Sequence, residues 1–233
     1  MGGCTNCKGK AGCDDHKSTM MGEVEQTLEA LYPTQTWGEP DDSVAVGLPL
    51  EDIEALADEL SAELRAATFV RPGGDDEPCD YIYILCLGRA PCVVQVRDHG
   101  VAVPEEWLGE AAPPIHELYL RVVISQRAKL AAVQQVAIEL VPSPGGFIVH
   151  ERPRAGVYDP PLLARMQKLV AILPAYELTH VDFGEIAHAS PSFSPGAWEA
   201  LYGAKPAIAN YFFYPQPTTM VATTFVSAVG GAA

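Results

Sequence analysis

Residues 117–151 read ELYLRVVISQRAKLAAVQQVAIELVPSPGGFIVHE, and the fold class turns on how this run is divided. ELYLRVVI, residues 117–124, is rich in β-branched and aromatic side chains, the composition of a strand. VQQVAIELV, residues 133–141, and FIVHE, residues 147–151, predict a hairpin across Pro142–Gly146, where proline and glycine mark a turn. Helix is the competing reading of Lys129–Leu140, because alanine and glutamine favour it. The alternation of Val136, Ile138 and Leu140 decides for strand.

Working outward, YIYILCLG at 81–88 and CVVQV at 92–96 flank a turn at Gly88–Pro91 and predict a second hairpin. Strands in sequence with short links form an antiparallel meander, and nothing here supplies the strand-helix-strand alternation of a parallel sheet. The fold class expected is therefore α+β: an antiparallel meander sheet covered by a few helices, with an N-terminal Cys/His metal knuckle and an extended C-terminal arm.

The covering helices follow from apolar periodicity. Val24, Leu28 and Leu31 predict a short helix over Gly22–Tyr32, stopped by Pro33. Ile53, Leu56, Leu60 and Leu64 predict a longer one over Leu50–Thr68, with six acids in the other positions. Pro160–Leu173 predicts a third, with Pro160 tolerated in its first turn. ELTHVDFGEI, residues 177–186, reads as a strand, and a short helix opens near Ser194 and ends by Gly203. Four segments result: a Cys-rich knuckle at 1–20, an acidic helical segment with linker at 21–77, an α+β core at 78–203 and an uncharged arm at 204–233.

The net charge of −15 is concentrated rather than spread. Residues 14–77 hold seventeen acids against Lys17, Arg65 and Arg71, a net −14. Such a surface repels phosphate backbones, so no nucleic-acid partner is expected. No apolar run reaches the roughly 18–20 residues that span a bilayer, so no transmembrane segment is expected either. With no apolar core of a signal peptide, the expected location is cytoplasmic. There, cysteines serve as ligands or buried thiols more often than as disulfides.

The chemistry is concentrated at the start. MGGCTNCKGKAGCDDH places Cys4, Cys7, Cys13 and His16 in a Cys-x2-Cys-x5-Cys-x2-His spacing among four glycines. Three thiols and an imidazole make a complete four-ligand set for zinc or an iron–sulfur cluster. Lys8, Lys10 and Lys17 add cations that lower thiol pKa values. The compact spacing favours an iron–sulfur cluster over zinc, whose ligand pairs are usually further apart. Neither ferredoxin spacing is matched, and Asp14 or Asp15 is a possible replacement for His16.

Cys86 and Cys92 flank the LGRAP turn and Cys79 precedes it, which makes one of them a reserve ligand; as strand residues they are otherwise buried thiols. In HVDFGEIAH, His180 and Asp182 on one strand face, with Glu185 and His188 close by, form a candidate metal or acid–base group. His99, His116 and His150 stand isolated and receive no role. No phosphate-binding loop, dinucleotide fingerprint, nucleophile elbow or His-Glu-x-x-His motif occurs.

From Pro206 to Ala233 there is no charged residue, yet the segment carries Tyr211, Phe212, Phe213, Tyr214, Phe225 and Val226. A free tail of that composition would aggregate, so it either completes its own sheet as an edge strand or docks to a partner. The function expected is a metal-binding accessory protein or small subunit of a larger redox complex. The knuckle holds the metal, and the body and arm dock to a larger assembly or to a second copy. The rivals are a metal-dependent hydrolase or lyase using His180, Asp182 and His188, and a non-catalytic scaffold.

Overall fold

In the strand Ile115–Ser125, residues of both parities are buried: Leu120, Val122 and Ile124 on one face, Tyr119, Arg121 and Val123 on the other. Successive side chains of a strand point to opposite faces, so this strand must be covered from both sides. The computed structural model that shows this describes residues 10–38, 40–41, 43–44, 47–66, 68–72, 81–86, 95–97, 100–102, 115–143, 146–214 and 222–227. Its strands are β1 (Thr68–Pro72), β2 (Tyr81–Cys86), β3 (Gln95–Arg97), β4 (Gly100–Ala102), β5 (Ile115–Ser125), β6 (Leu130–Ser143), β7 (Gly146–Arg154), β8 (Thr179–Val181) and β9 (Ala222–Ser227). Its helices are α1 (Lys10–Leu31), α2 (Leu50–Leu64), α3 (Pro160–Ile172), α4 (Phe183–Ile186), α5 (Trp198–Tyr202) and α6 (Ile208–Phe212).

The main sheet runs β1-β2-β5-β6-β7-β9, all antiparallel, and β8 lies parallel against the start of β6. The long β6 pairs with β7 over Gln135–Ser143 and with β8 over Leu130–Ala132, so two strands share one of its edges. The mixed α/β composition and the largely antiparallel sheet agree with the sequence reading, as does the β5-β6-β7 meander. Two details do not. Residues 92–94 lie outside the described residues; Gln95 and Val96 belong to β3, which pairs with β4 in a separate two-stranded sheet, while the described neighbours of β2 are β1 and β5. The strand expected over ELTHVDFGEI stops at Val181 and gives way to α4.

One face of the sheet is packed by α2 and α3: Ile53, Leu56 and Leu60, with Leu162 and Leu169, bury Ile84, Leu120, Val122 and Val133. The other is packed by α1, α4 and α6: Val24, Leu28 and Leu31, with Phe183, Ile186 and Phe212, bury Tyr81, Val123 and Ala132. Each large aliphatic side chain so buried contributes roughly 1.5–3 kcal/mol of transfer free energy. α2 ends at Leu64, four residues short of the expected Thr68, because Arg65 adopts a left-handed conformation (φ 48°) and donates its N–H to the Ser61 carbonyl. That closure of the helix frees Thr68 to open β1. α3 begins where expected, with Pro160 in its first turn and the Asp159 carboxylate accepting from the Leu162 N–H.

The C-terminal segment folds on its own domain in its described part. α6 is buried, and β9 forms the edge of the sheet against β7. Of the two readings of this segment, completion of its own sheet as an edge strand is met by β9, and in place of an extended arm its aromatic residues Tyr211, Phe212 and Phe213 lie in the core. No helix among the described residues is long and apolar enough to cross a membrane.

Candidate functional site

Of the sequence-derived ligand set, Cys4 and Cys7 lie outside the described residues. Cys13 and His16 fall in the first turns of α1, three residues apart, a spacing that brings two positions of a helix to one face. Their side chains lie outside the described set. The same α1 continues to Val24, Leu28 and Leu31, so the backbone that carries the second ligand pair is continuous with a helix seated in the core. Cys79 and Cys92 also lie outside the described residues. Cys86 is fully buried on β2, and desolvation pushes its thiol up to about 12, with Arg165 opposing weakly. Cys86 is thus a buried, neutral thiol on β2, and among the described residues it belongs to no group of three His, Cys, Asp or Glu side chains that could hold a metal ion.

The His180 group is dispersed by the end of β8. His180 is on the strand and its imidazole is held below the usual histidine range by burial, partly offset by the Asp182 carboxylate. Asp182 has left the strand and caps α4, its Oδ1 accepting from the N–H groups of Gly184 at 2.8 Å and Glu185 at 3.4 Å. Glu185 belongs to α4 and His188 follows it. Among the described residues, no three His, Cys, Asp or Glu side chains form a group that could hold a metal ion.

Polar groups missed from the sequence are brought together by strand register. Arg121 on β5 stands opposite Gln134 on β6 within the sheet, and both are buried, at 6% and 0% exposure. The guanidinium donates from Nε (3.0 Å) and Nη2 (2.8 Å) to the Gln134 side-chain oxygen and lies 5.1 Å from the Tyr83 ring centre. Burial lowers the Arg121 pKa, with Tyr83 and Glu151 opposing. The amide nitrogen of Gln134 is buried without a hydrogen-bond partner. On the opposite face, His116, Glu139 and His150 form one row across β5, β6 and β7. Glu139 is 3.9 Å from both His116 Nε2 and the Arg152 guanidinium, at a concavity of about 620 Å³.

A second concavity, of about 430 Å³, separates α1 from the turn between β5 and β6. Gln26, Thr27 and Leu31 form one wall, and Arg127, Lys129 and Thr179 the other. Ser125 fixes that turn: its hydroxyl donates to the Phe212 carbonyl (2.9 Å) and accepts from the N–H groups of Arg127 (3.1 Å) and Ala128 (3.3 Å). Gly47 packs so closely that a Cβ there would sit 2.4 Å from the Gln126 carbonyl oxygen. The fold and these sites define a mixed α/β protein with a largely antiparallel sheet. No family model, curated protein or solved structure matches the chain.

Proposed function

We propose that this chain is a metal-binding accessory protein or small subunit of a larger redox complex, with Cys4, Cys7, Cys13 and His16 holding an iron–sulfur centre. The observation that carries the reading is the ligand spacing itself: three cysteines and a histidine within thirteen residues, flanked by glycines and lysines. The continuity of α1 supports it, because a metal bound at Cys13 and His16 would be attached to a helix whose far end is buried beneath the sheet. Outer-sphere electron transfer needs such attachment and no acid–base residue. The cluster would be tuned by Lys8, Lys10 and backbone amides.

Zinc is the second occupant. A helix presenting Cys13 and His16 three residues apart, preceded by a Cys-x2-Cys pair, also suits a tetrahedral Cys3His site that clips the N-terminus to the domain. The hydrolase reading is the weaker alternative, since among the described residues His180, Asp182 and His188 form no group that could hold a metal ion, and the Asp182 Oδ1 serves as the α4 cap. Docking through the C-terminal segment would use the outer edge of β9, and a cytoplasmic setting would keep the thiols reduced. The test is an ultraviolet-visible spectrum of anaerobically purified protein beside a Cys4→Ser, Cys7→Ser, Cys13→Ser variant. A visible charge-transfer band present in wild type and lost in the variant supports the cluster. A colourless wild type with equimolar zinc assigns the clip, and a band that survives the variant refutes the knuckle.

A further inference from the structure

The cleft between α1 and the β5–β6 turn has a lining unusual for this chain. In a protein of net charge −15, it is lined, among the described residues, by Arg127 and Lys129 and by no aspartate or glutamate. Gln26, Thr27 and Thr179 add polar atoms, while Leu31, Val44 and Leu130 make the floor apolar. Its volume, about 430 Å³, falls in the range of small-molecule sites.

Arg127 is held in place rather than left on a long flexible stem. Its Nη1 donates to the hydroxyl of the fully buried Tyr32, and its guanidinium lies 6.0 Å from that ring's centre. The Tyr32 hydroxyl in turn donates to the Tyr211 carbonyl at 3.0 Å, which ties the chain of contacts to α6. The backbone of Arg127 is fixed by Ser125, and the preceding residue is pressed against Gly47. Lys129 is tied to Glu177, an exposed pair that a competing anion can displace at little cost. A cation whose orientation is set before binding loses little entropy on meeting an anion, and arginine's planar fork matches a carboxylate or phosphate.

We propose that this cleft binds a small organic anion, one carboxylate or phosphate head on an apolar body, with Arg127 recognising the head and Leu31, Val44 and Leu130 receiving the body. The inference is independent of the N-terminal knuckle. It is tested by calorimetric titration of the full chain with phenyl phosphate and, separately, benzoate; the tighter binder identifies the head group. Saturable one-to-one binding is expected. It should weaken on the order of tenfold or more in Arg127→Met, since a charge-assisted bidentate contact is lost. Because Arg127 also anchors Tyr32, a second variant leaves it untouched: Ala30→Trp, at an exposed α1 position lining the cleft, should block binding without altering that anchor. Absence of saturable binding of either compound to wild type, or equal affinity in wild type and both variants, overturns the proposal.

Discussion

The Arg121–Gln134 pair makes the sharpest energetic prediction of the fold. Gln134→Leu removes the acceptor of two guanidinium donors at 3.0 and 2.8 Å in a site with 0–6% exposure. Hydrogen bonds to charged groups contribute roughly 1.5–3 kcal/mol each. Part of that loss is returned, because the Gln134 amide nitrogen has no partner and its burial is itself unfavourable by roughly 1–3 kcal/mol. The net expectation is a destabilisation of roughly 2–4 kcal/mol. Arg121→Met should cost a similar amount, since it leaves the glutamine carbonyl buried without its donors and removes the contact with Tyr83. In the double variant neither half of the pair remains, and it should lie within roughly 2 kcal/mol of wild type. For a chain of this size, each kcal/mol shifts the melting temperature by about 2–4 °C. Urea denaturation of all four proteins, treated as a double-mutant cycle, reads the coupling. A double variant as unstable as the sum of the singles would refute the reasoning.

Other consequences follow from single groups. Asp182→Ala should lower stability by roughly 0.5–2 kcal/mol through loss of the α4 cap, with Asp182→Asn largely sparing it, as thermal unfolding would show. Gly47→Ala should destabilise by roughly 1–3 kcal/mol, because its Cβ meets backbone atoms of Gln126 that cannot rotate away. Cys86, a neutral thiol up to about 12, should resist iodoacetamide at pH 8 until denaturant is added, a pattern that mass spectrometry of the labelled peptides resolves. His180 has a folded-state pKa below its unfolded value near 6.5, so the unfolded chain binds more protons in mildly acidic solution. Stability should therefore fall as pH drops through about 6.5, and His180→Asn should flatten the difference between unfolding curves at pH 7.5 and pH 5.

What the sequence disclosed and what it hid divide along physical lines. Apolar periodicity over ten or more residues identified α2 and α3, while β-branched composition, the Val136/Ile138/Leu140 alternation and the Pro142–Gly146 turn identified the β5-β6-β7 meander. β8 was legible as part of the strand read over residues 177–186, but its end at Val181 was not, because three residues carry no period, and its parallel pairing with β6 depends on a chain that returns from α3. β2 was correctly read as a strand but given the wrong neighbour: its hydrophobic run says that it is buried, not whether β3 or β5 lies beside it. α1 extends upstream of Val24 through residues that lack an apolar stripe, so periodicity placed its start at Gly22. Nothing in residue order marks Arg121 and Gln134 as buried; helices on both sides of the sheet put them inside. The His116–Glu139–His150 row was invisible for a related reason, since isolated residues become neighbours only through register. The buried aromatic run Tyr211–Phe213 was legible, because an uncharged aromatic segment must be covered by something.

The metal-centre claim is tested most directly by metal and acid-labile sulfide content per chain, measured on anaerobically purified protein beside a variant lacking residues 1–9. That truncation removes Cys4 and Cys7 and leaves α1 from Lys10 onward. Iron with sulfide in the full chain, and neither in the truncated one, is the result predicted here. A full chain without metal, or a truncated chain that retains its full complement, would contradict it.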